Sequence, residues 1–260
     1  MLNLPIQAKT AIITGGAGGI GKAISLKLAQ AGVKIIIFAR DKMKGKNTVE
    51  AINSGGGEAF FYHTDLSSSK EIDQSTKQVI NLFGNVDILV NNAAISGYMG
   101  PVVETPLADV ENVLKVNLIS IFHLSKLILP KMIENRFGRI INISSVAYRQ
   151  SPPNSATYNI SKGGLNILTK TLSKEVASYG ITVNAIAPGL VLTERILTSR
   201  LPGLAKKRGI TQDEMMKELT AGTDTGKLTK EEDVAELVMF LASDVSGNIT
   251  GEIINVSGGL

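Results

Sequence analysis

Cysteine and tryptophan are both absent from the 260 residues. Without a thiol there can be no disulfide, no thiolate nucleophile and no cysteine-ligated zinc, and no metal site is expected. No apolar run looks long enough to cross a bilayer. The best, residues 118–129, is short and carries His123 and Lys126. Residues 1–10 have no positively charged start followed by an apolar stretch, so no secretory leader is expected. These absences fit a reducing compartment, and a cytoplasmic location is the expectation. Neither charge sign dominates. The net charge is +4, and the basic residues are mostly spread singly, as on a solvated surface. No basic helix or aromatic-basic pattern marks a nucleic-acid binder. Arg40, Lys42, Lys44 and Lys46 form the one local cluster. No linker and no repeat interrupts the chain, which reads as one domain over 1–260.

Short apolar runs alternate with longer helical patterns. Seven strands are expected at 11–13, 33–38, 59–62, 88–90, 140–143, 183–187 and 253–256. Most are continuously apolar, as for strands buried on both faces. Helices are expected at 19–31, 42–54, 68–83, 107–135, 157–179 and 230–242. Pro106 and Pro130 bracket the longest apolar helix, and Gly32, Gly84 and Gly180 stand where helices should stop. Parallel strands need crossovers, so this alternation predicts an α/β fold: a doubly wound, mainly parallel sheet with helices on both faces. Residues 190–227 form the irregular exception. They are polar, rich in Thr and Gly, and long enough to be a substrate-binding loop or lid.

Thr14-Gly15-Gly16-Ala17-Gly18-Gly19-Ile20-Gly21 follows the first strand and opens the first helix. Glycines there let the backbone turn tightly and approach a phosphate, and the helix start offers free N–H groups to a pyrophosphate. Gly16, Gly21 and Lys22 also satisfy most of a P-loop pattern. That pattern ends in a magnesium-binding Ser or Thr, and here the position is Ala23, which argues against triphosphate hydrolysis.

Tyr158 and Lys162 are four apart on an expected helix and so share a face. A phenol titrates near 10, and an adjacent ammonium favours its ionised form, giving a general acid/base for a carbonyl oxygen. Asn91-Asn92-Ala93-Ala94 ends the fourth strand, Ile143-Ser144-Ser145 the fifth, and Pro188-Gly189 the sixth, with Val191 and Thr193 just beyond. All lie at carboxyl ends of strands, where open α/β sheets bind ligands.

Together these motifs resemble the short-chain dehydrogenase/reductase family over the whole chain. The resemblance implies a seven-stranded Rossmann sheet and a nicotinamide-dependent oxidoreductase acting on a carbonyl or alcohol. It implies Tyr158 as the acid/base, Lys162 as the residue that lowers its pKa and holds the nicotinamide ribose, and Ser145 as the donor to the reacting carbonyl. Asn117 would support a proton relay to Lys162. Cofactor contacts would come from Gly15, Gly19, Ile20, Gly21, Arg40, Asp65, Leu66, Asn92, Ala93, Tyr158, Lys162, Pro188, Gly189, Val191 and Thr193. Within this set Asp65 would take the adenine edge and Thr193 the carboxamide. Two bland readings stand beside these: Asn117 as a helix residue bonded to backbone, and Asp65 as a turn or cap residue. Ala94 stands where the family usually has Gly, and Ser257 where it usually has Asp.

The second strand ends Phe38-Ala39-Arg40. Ala39 occupies the place of the acid that binds a ribose 2′-hydroxyl, and Arg40 suits a 2′-phosphate, so NADP(H) is favoured. Asp41 keeps NAD(H) open, and Gly18 lacks the basic residue that NADP users often carry there. Residues 205–210 and the closing Gly-Gly are loosely similar to 3-oxoacyl-carrier-protein reductases, with Arg136 and Arg139 as docking cations for an acyl carrier protein. A sugar, polyol or other small-alcohol substrate is the alternative. Other classes are a sugar epimerase or dehydratase, whose relatives carry larger C-terminal regions, and a non-enzymatic nicotinamide sensor, whose relatives have lost the Tyr or Lys. The apolar excess on 107–135 (Val110, Val113, Leu114, Leu118, Ile121, Phe122, Leu124, Leu127, Ile128 and Leu129) predicts a homotetramer.

Overall fold

The computed structural model describes residues 4–260. The first three residues, part of the segment read above for a leader, lie outside the described residues. The strands are β1 (Thr10–Thr14), β2 (Lys34–Ala39), β3 (Ala59–His63), β4 (Ile88–Asn91), β5 (Gly138–Ile143), β6 (Ile181–Pro188) and β7 (Ile253–Val256). They form one sheet in the order β3-β2-β1-β4-β5-β6-β7. Every pairing is parallel, so the doubly wound expectation holds and the sheet is wholly rather than mainly parallel. All residues of β5 and β6 are buried, so their apolar residues do not alternate strictly, and the buried Asn142 and Asn184 are hydrogen-bonded.

The helices are α1 (Gly19–Gln30), α2 (Lys42–Ser54), α3 (Ser69–Phe83), α4 (Leu107–Leu114), α5 (Ser120–Asn135), α6 (Ala147–Gln150), α7 (Ala156–Val176), α8 (Leu201–Arg208), α9 (Gln212–Ala221) and α10 (Glu231–Ala242). Successive strand residues point to opposite faces, and two cores result. Ile13, Ile37 and Val90 pack with Ile24 and Leu28 of α1 and Val234 and Val238 of α10. Ile12, Ile36 and Leu89 pack with Val79 of α3, Leu124 and Ile128 of α5 and Leu172 of α7.

Two sequence expectations are corrected. The helix over 107–135 is α4 and α5 joined by a π turn, Lys115–Ile119, and Pro130 lies inside α5 without ending it. Read through that turn, the segment spans 29 residues with mean hydropathy 1.4 over its most apolar window, long and apolar enough to cross a membrane by composition. Here it packs on the sheet, with Ile121, Leu124, Ile128 and Met132 buried. The same burial absorbs much of its apolar excess, although Ile119 and Phe122 stay exposed.

The 190–227 stretch is not irregular. It holds a π turn (Ile196–Arg200), α8 and α9. Leu201, Ala205 and Met215 form a small core of their own beneath Leu204, Met216 and Leu219. Thr211 caps α9 through a reciprocal box with Glu214.

Candidate active site

The strand order reverses between β1 and β4, and a crevice opens there at the carboxyl edge of the sheet. Gly15 and Gly19 take φ of 67° and 55°, left-handed values that favour glycine. A Cβ on Gly21 would lie 2.3 Å from the Gly15 carbonyl oxygen, so the helix start can press this close to the turn only without a side chain. Gly18 caps α1 with no side-chain hydrogen bond, and a Cβ there would meet nothing within 4 Å. Ile20 packs on the α1–α10 core and sets the helix against the sheet. The first turn of this twelve-residue helix stands at the glycine turn, a placement that fits a pyrophosphate.

A cleft of about 380 Å³ adjoins this turn, lined by residues including Gly15, Arg40, Asp65, Leu66, Asn92 and Ala93. Its floor is tied together by Thr14, which the sequence reading quoted only as the first residue of the glycine turn. The Thr14 hydroxyl accepts from the N–H groups of Asn92 (2.9 Å) and Ala93 (3.1 Å), and the Asn92 amide donates to the Thr14 carbonyl (2.9 Å). Asp65 Oδ1 accepts from the Ser67 N–H at 2.8 Å, the turn role weighed as its bland reading, while the residue also lines the cleft. Burial works to raise its carboxyl pKa, but the Ser67 hydrogen bonds, with Arg40 and His63 nearby, leave it below the ordinary value. Asp41 caps α2, its carboxylate accepting from the Lys44 N–H at 3.0 Å.

Beyond β5, Ser145 lies close enough to Tyr158 to oppose the burial that raises the phenol pKa, and Ser145 Oγ accepts from the Ala147 N–H at 3.2 Å. Ser144, its neighbour, is buried with its hydroxyl unpartnered. Lys162 lies 5.7 Å from the centre of the Tyr158 ring and donates to the Ile143 carbonyl at 2.7 Å. The electrostatics differ from the expectation that Lys162 lowers the phenol. Burial raises the Tyr158 pKa, and the groups that oppose this are Ser145, Arg200 and Arg195. Lys162 is itself lowered to about 8 because it is buried.

Asn117 sits in the π turn, fully buried. Its side chain accepts from the Ile95 N–H and donates to the Ile95 carbonyl, both at 2.9 Å, and also donates to the Ser161 hydroxyl at 3.1 Å. It bonds backbone and the residue beside Lys162, not Lys162 itself. At the end of β6, the Pro188 carbonyl accepts from the Val146 N–H at 3.0 Å, fixing the loop that carries Ser145. The Gly189 N–H donates to Val256, and Val191 bridges to Thr229. Thr193 lies against Gly19, so the start of the 190–227 stretch rests over the glycine turn.

Two cations, Arg195 and Arg200, were missed. They fall in the 190–227 stretch, where the sequence offered no periodic signal. Arg139, read as a docking cation, is 5% exposed and stacks 4.5 Å from the Phe137 ring, so it cannot meet a partner. Among the described residues no cluster of His, Asp and Glu could hold a metal.

The sequence pattern of the short chain dehydrogenase family matches residues 9–200. A 3-oxoacyl-[acyl-carrier-protein] reductase of Staphylococcus epidermidis is 35% identical over 256 residues, 97% of this chain and 98% of that protein. Among solved structures, an NAD⁺-bound xylitol dehydrogenase superposes with TM-score 0.90 at 30% identity, covering 96% of this chain and 98% of that one. An actinorhodin polyketide ketoreductase with NADPH gives TM-score 0.92 at 32% identity, covering 97% of each chain.

Proposed function

Because this chain belongs to the short-chain dehydrogenase family, whose members transfer hydride with a nicotinamide cofactor, we propose that it is an NADP(H)-dependent oxidoreductase interconverting a carbonyl and a secondary alcohol. The observation that carries this reading is the grouping of Ser145, Tyr158 and Lys162 past β5, on the same carboxyl edge of the sheet as the glycine turn and the 380 Å³ cleft.

The cofactor's nicotinamide would supply or accept the hydride. The chain does the rest. Ser145 and the Tyr158 hydroxyl donate hydrogen bonds to the carbonyl oxygen. Tyr158 then gives that oxygen its proton during reduction and takes it back during oxidation. Burial holds the phenol in its protonated form until it is needed. Lys162, cationic below about 8, would hold the nicotinamide ribose beside the phenol. The glycine turn and α1 would hold the pyrophosphate, Asp65 and Leu66 the adenine side, Asn92, Ala93 and Gly189 the middle, and Val191 and Thr193 the carboxamide.

Preference for NADP(H) rests on charge. Arg40 lines the cleft, Ala39 has no acceptor for a ribose hydroxyl, and the Asp41 carboxylate is engaged as a helix cap. A 2′-phosphate meets a guanidinium well, as a fork that stays charged. The 3-oxoacyl likeness makes a 3-oxo or 3-hydroxy carbonyl compound the first substrate class to try. An acyl carrier protein as its bearer has less support, since Arg139 is buried and Arg136 is turned to the Ser178 carbonyl. Exposed Ile119, Phe122, Ile160 and Ile167, on the π turn, α5 and α7, favour a homotetramer. A cytoplasmic location accords with a chain free of cysteine. The test is consumption of NADPH against NADH with a panel of acyl, sugar and aromatic ketones. Lack of turnover with every carbonyl would overturn the reading.

A further inference from the structure

Two positive charges act on the Tyr158 hydroxyl from the lid, Arg200 the more strongly and Arg195 the less. Both side chains are exposed, and neither forms an ion pair among the described residues. Glu194, next to Arg195 in the chain, pairs instead with Lys44 at 3.7 Å.

Their placement is built rather than incidental. The Arg195 guanidinium donates to the Ser96 hydroxyl at 3.3 Å, joining this segment to the loop after β4. Ser96 follows Ile95, the residue that Asn117 clamps, so one arginine is anchored to the layer that carries the catalytic groups. Arg195 and Arg200 are five apart. In an α-helix that spacing would turn them roughly 140° from each other. Residues 196–200 instead form a π turn, closed by the Leu201 N–H on the Ile196 carbonyl, and its wider winding brings the fifth residue back toward the same face. Such turns recur at functional sites.

We propose that Arg195 and Arg200 form a carboxylate-binding pair that makes free oxo and hydroxy acids the substrates of this enzyme, with the carboxylate only a few bonds from the reacting carbon. The proposal rests on the oxidoreductase reading above and narrows it. A guanidinium fork matches a carboxylate in shape and charge. A thioester or a neutral ketone presents no negative charge so near its carbonyl, and the phosphate of a carrier arm lies at the far end of a long chain. Both would leave two cations without a counter-charge at the mouth of the site.

The experiment measures NADPH- and NADH-dependent reduction of 2-oxo and 3-oxo acids, each beside its methyl ester. The acid is expected to exceed its ester in kcat/KM by about tenfold or more, one charge-assisted hydrogen bond's worth of discrimination. Arg200→Gln and Arg195→Gln should each narrow that ratio by about tenfold, mainly through KM for the acid. Arg200→Lys should restore part of it, because it keeps the charge and loses the fork. Equal turnover of acid and ester by the wild-type enzyme overturns the proposal and leaves the oxidoreductase reading standing. So does an acid-to-ester ratio unmoved in both glutamine variants. A weaker NADPH Kd in those variants at constant ratio would reassign the arginines to the cofactor. Failure to reduce any member of the panel counts against both readings.

Discussion

Asn117 and Ile95 hold each other through two reciprocal hydrogen bonds of 2.9 Å, side chain to backbone in both directions. The pair joins a π turn in the long helix to the loop after β4, and through Ser161 it reaches the helix of the catalytic pair. Asn117→Ala should therefore leave the half-buried N–H and C=O of Ile95 without partners. An unmade buried hydrogen bond costs about 1–3 kcal/mol, so the denaturant midpoint should fall accordingly, and the Ile95 amide should exchange faster with solvent. Unchanged protection at Ile95 would show that the clamp does not hold the loop.

Tyr158→Phe removes the proton donor while keeping the ring. Turnover should drop by roughly 10²–10⁴-fold, the usual contribution of general acid/base catalysis. NADPH affinity, read by fluorescence titration, should stay within a few-fold of wild type. Near-normal turnover in the purified variant would sink the assignment of Tyr158.

Lys162 should impose an alkaline limb on reduction. Its folded-state pKa is depressed to about 8 by burial, so the ammonium is present below that value and lost as the pH rises through it. The kcat/KM for reduction should accordingly decline above about pH 8. Lys162→Arg, cationic at any working pH, should move the limb upward in whatever activity remains. A profile flat through pH 9 in the wild-type enzyme would contradict this. The same burial has a cost for stability. A lysine with a depressed folded pKa favours folding above its unfolded value, near 10.4, and that contribution is lost as pH falls toward 8.

Arg40→Ala should raise KM for NADPH by roughly tenfold or more, the value of one charge-assisted hydrogen bond to the 2′-phosphate. KM for NADH should barely move. The wild-type preference for NADPH should also shrink as salt rises, since Arg40 and the neighbouring lysines lie near the surface. Equal losses for both cofactors would remove Arg40 from the phosphate site.

Phe122→Glu should disturb assembly. Phe122 and Ile119 are more than half exposed, 58% and 57%, and Ile160 and Ile167 on α7 are 59% and 65% exposed. Wild-type protein is expected to give a tetrameric mass by light scattering at micromolar concentration, and the variant a smaller one. A wild-type monomer would refute the assembly.

Most of the sheet was legible because parallel strands buried on both faces write themselves as runs of Ile and Val, as in Ile35-Ile36-Ile37 and Ile140-Ile141. The glycine turn was legible from residues that only a tight approach explains, Gly21 above all. Tyr158 and Lys162 stood out through their spacing. Their electrostatics did not, because burial shifts both groups and burial depends on the whole fold. The π turn left no trace in hydropathy, since one extra residue per turn barely alters an apolar pattern. The lid helices were hidden for a different reason: their shared core is only Leu201, Ala205 and Met215, too few apolar residues to set a period. Arg139 misled because arginines are rarely buried; here its stem and charge lie along Phe137.

The separate core of α8 and α9 has a consequence for how such a chain can change. Leu201, Ala205 and Met215 pack among residues of their own segment, whereas Tyr158 and Lys162 stand on α7, tied through Thr169 and Asn142 to β5 and β4. Substitutions in α8 and α9 should therefore leave the scaffold of the proposed catalytic residues intact, and the two parts are free to drift at different rates within one polypeptide.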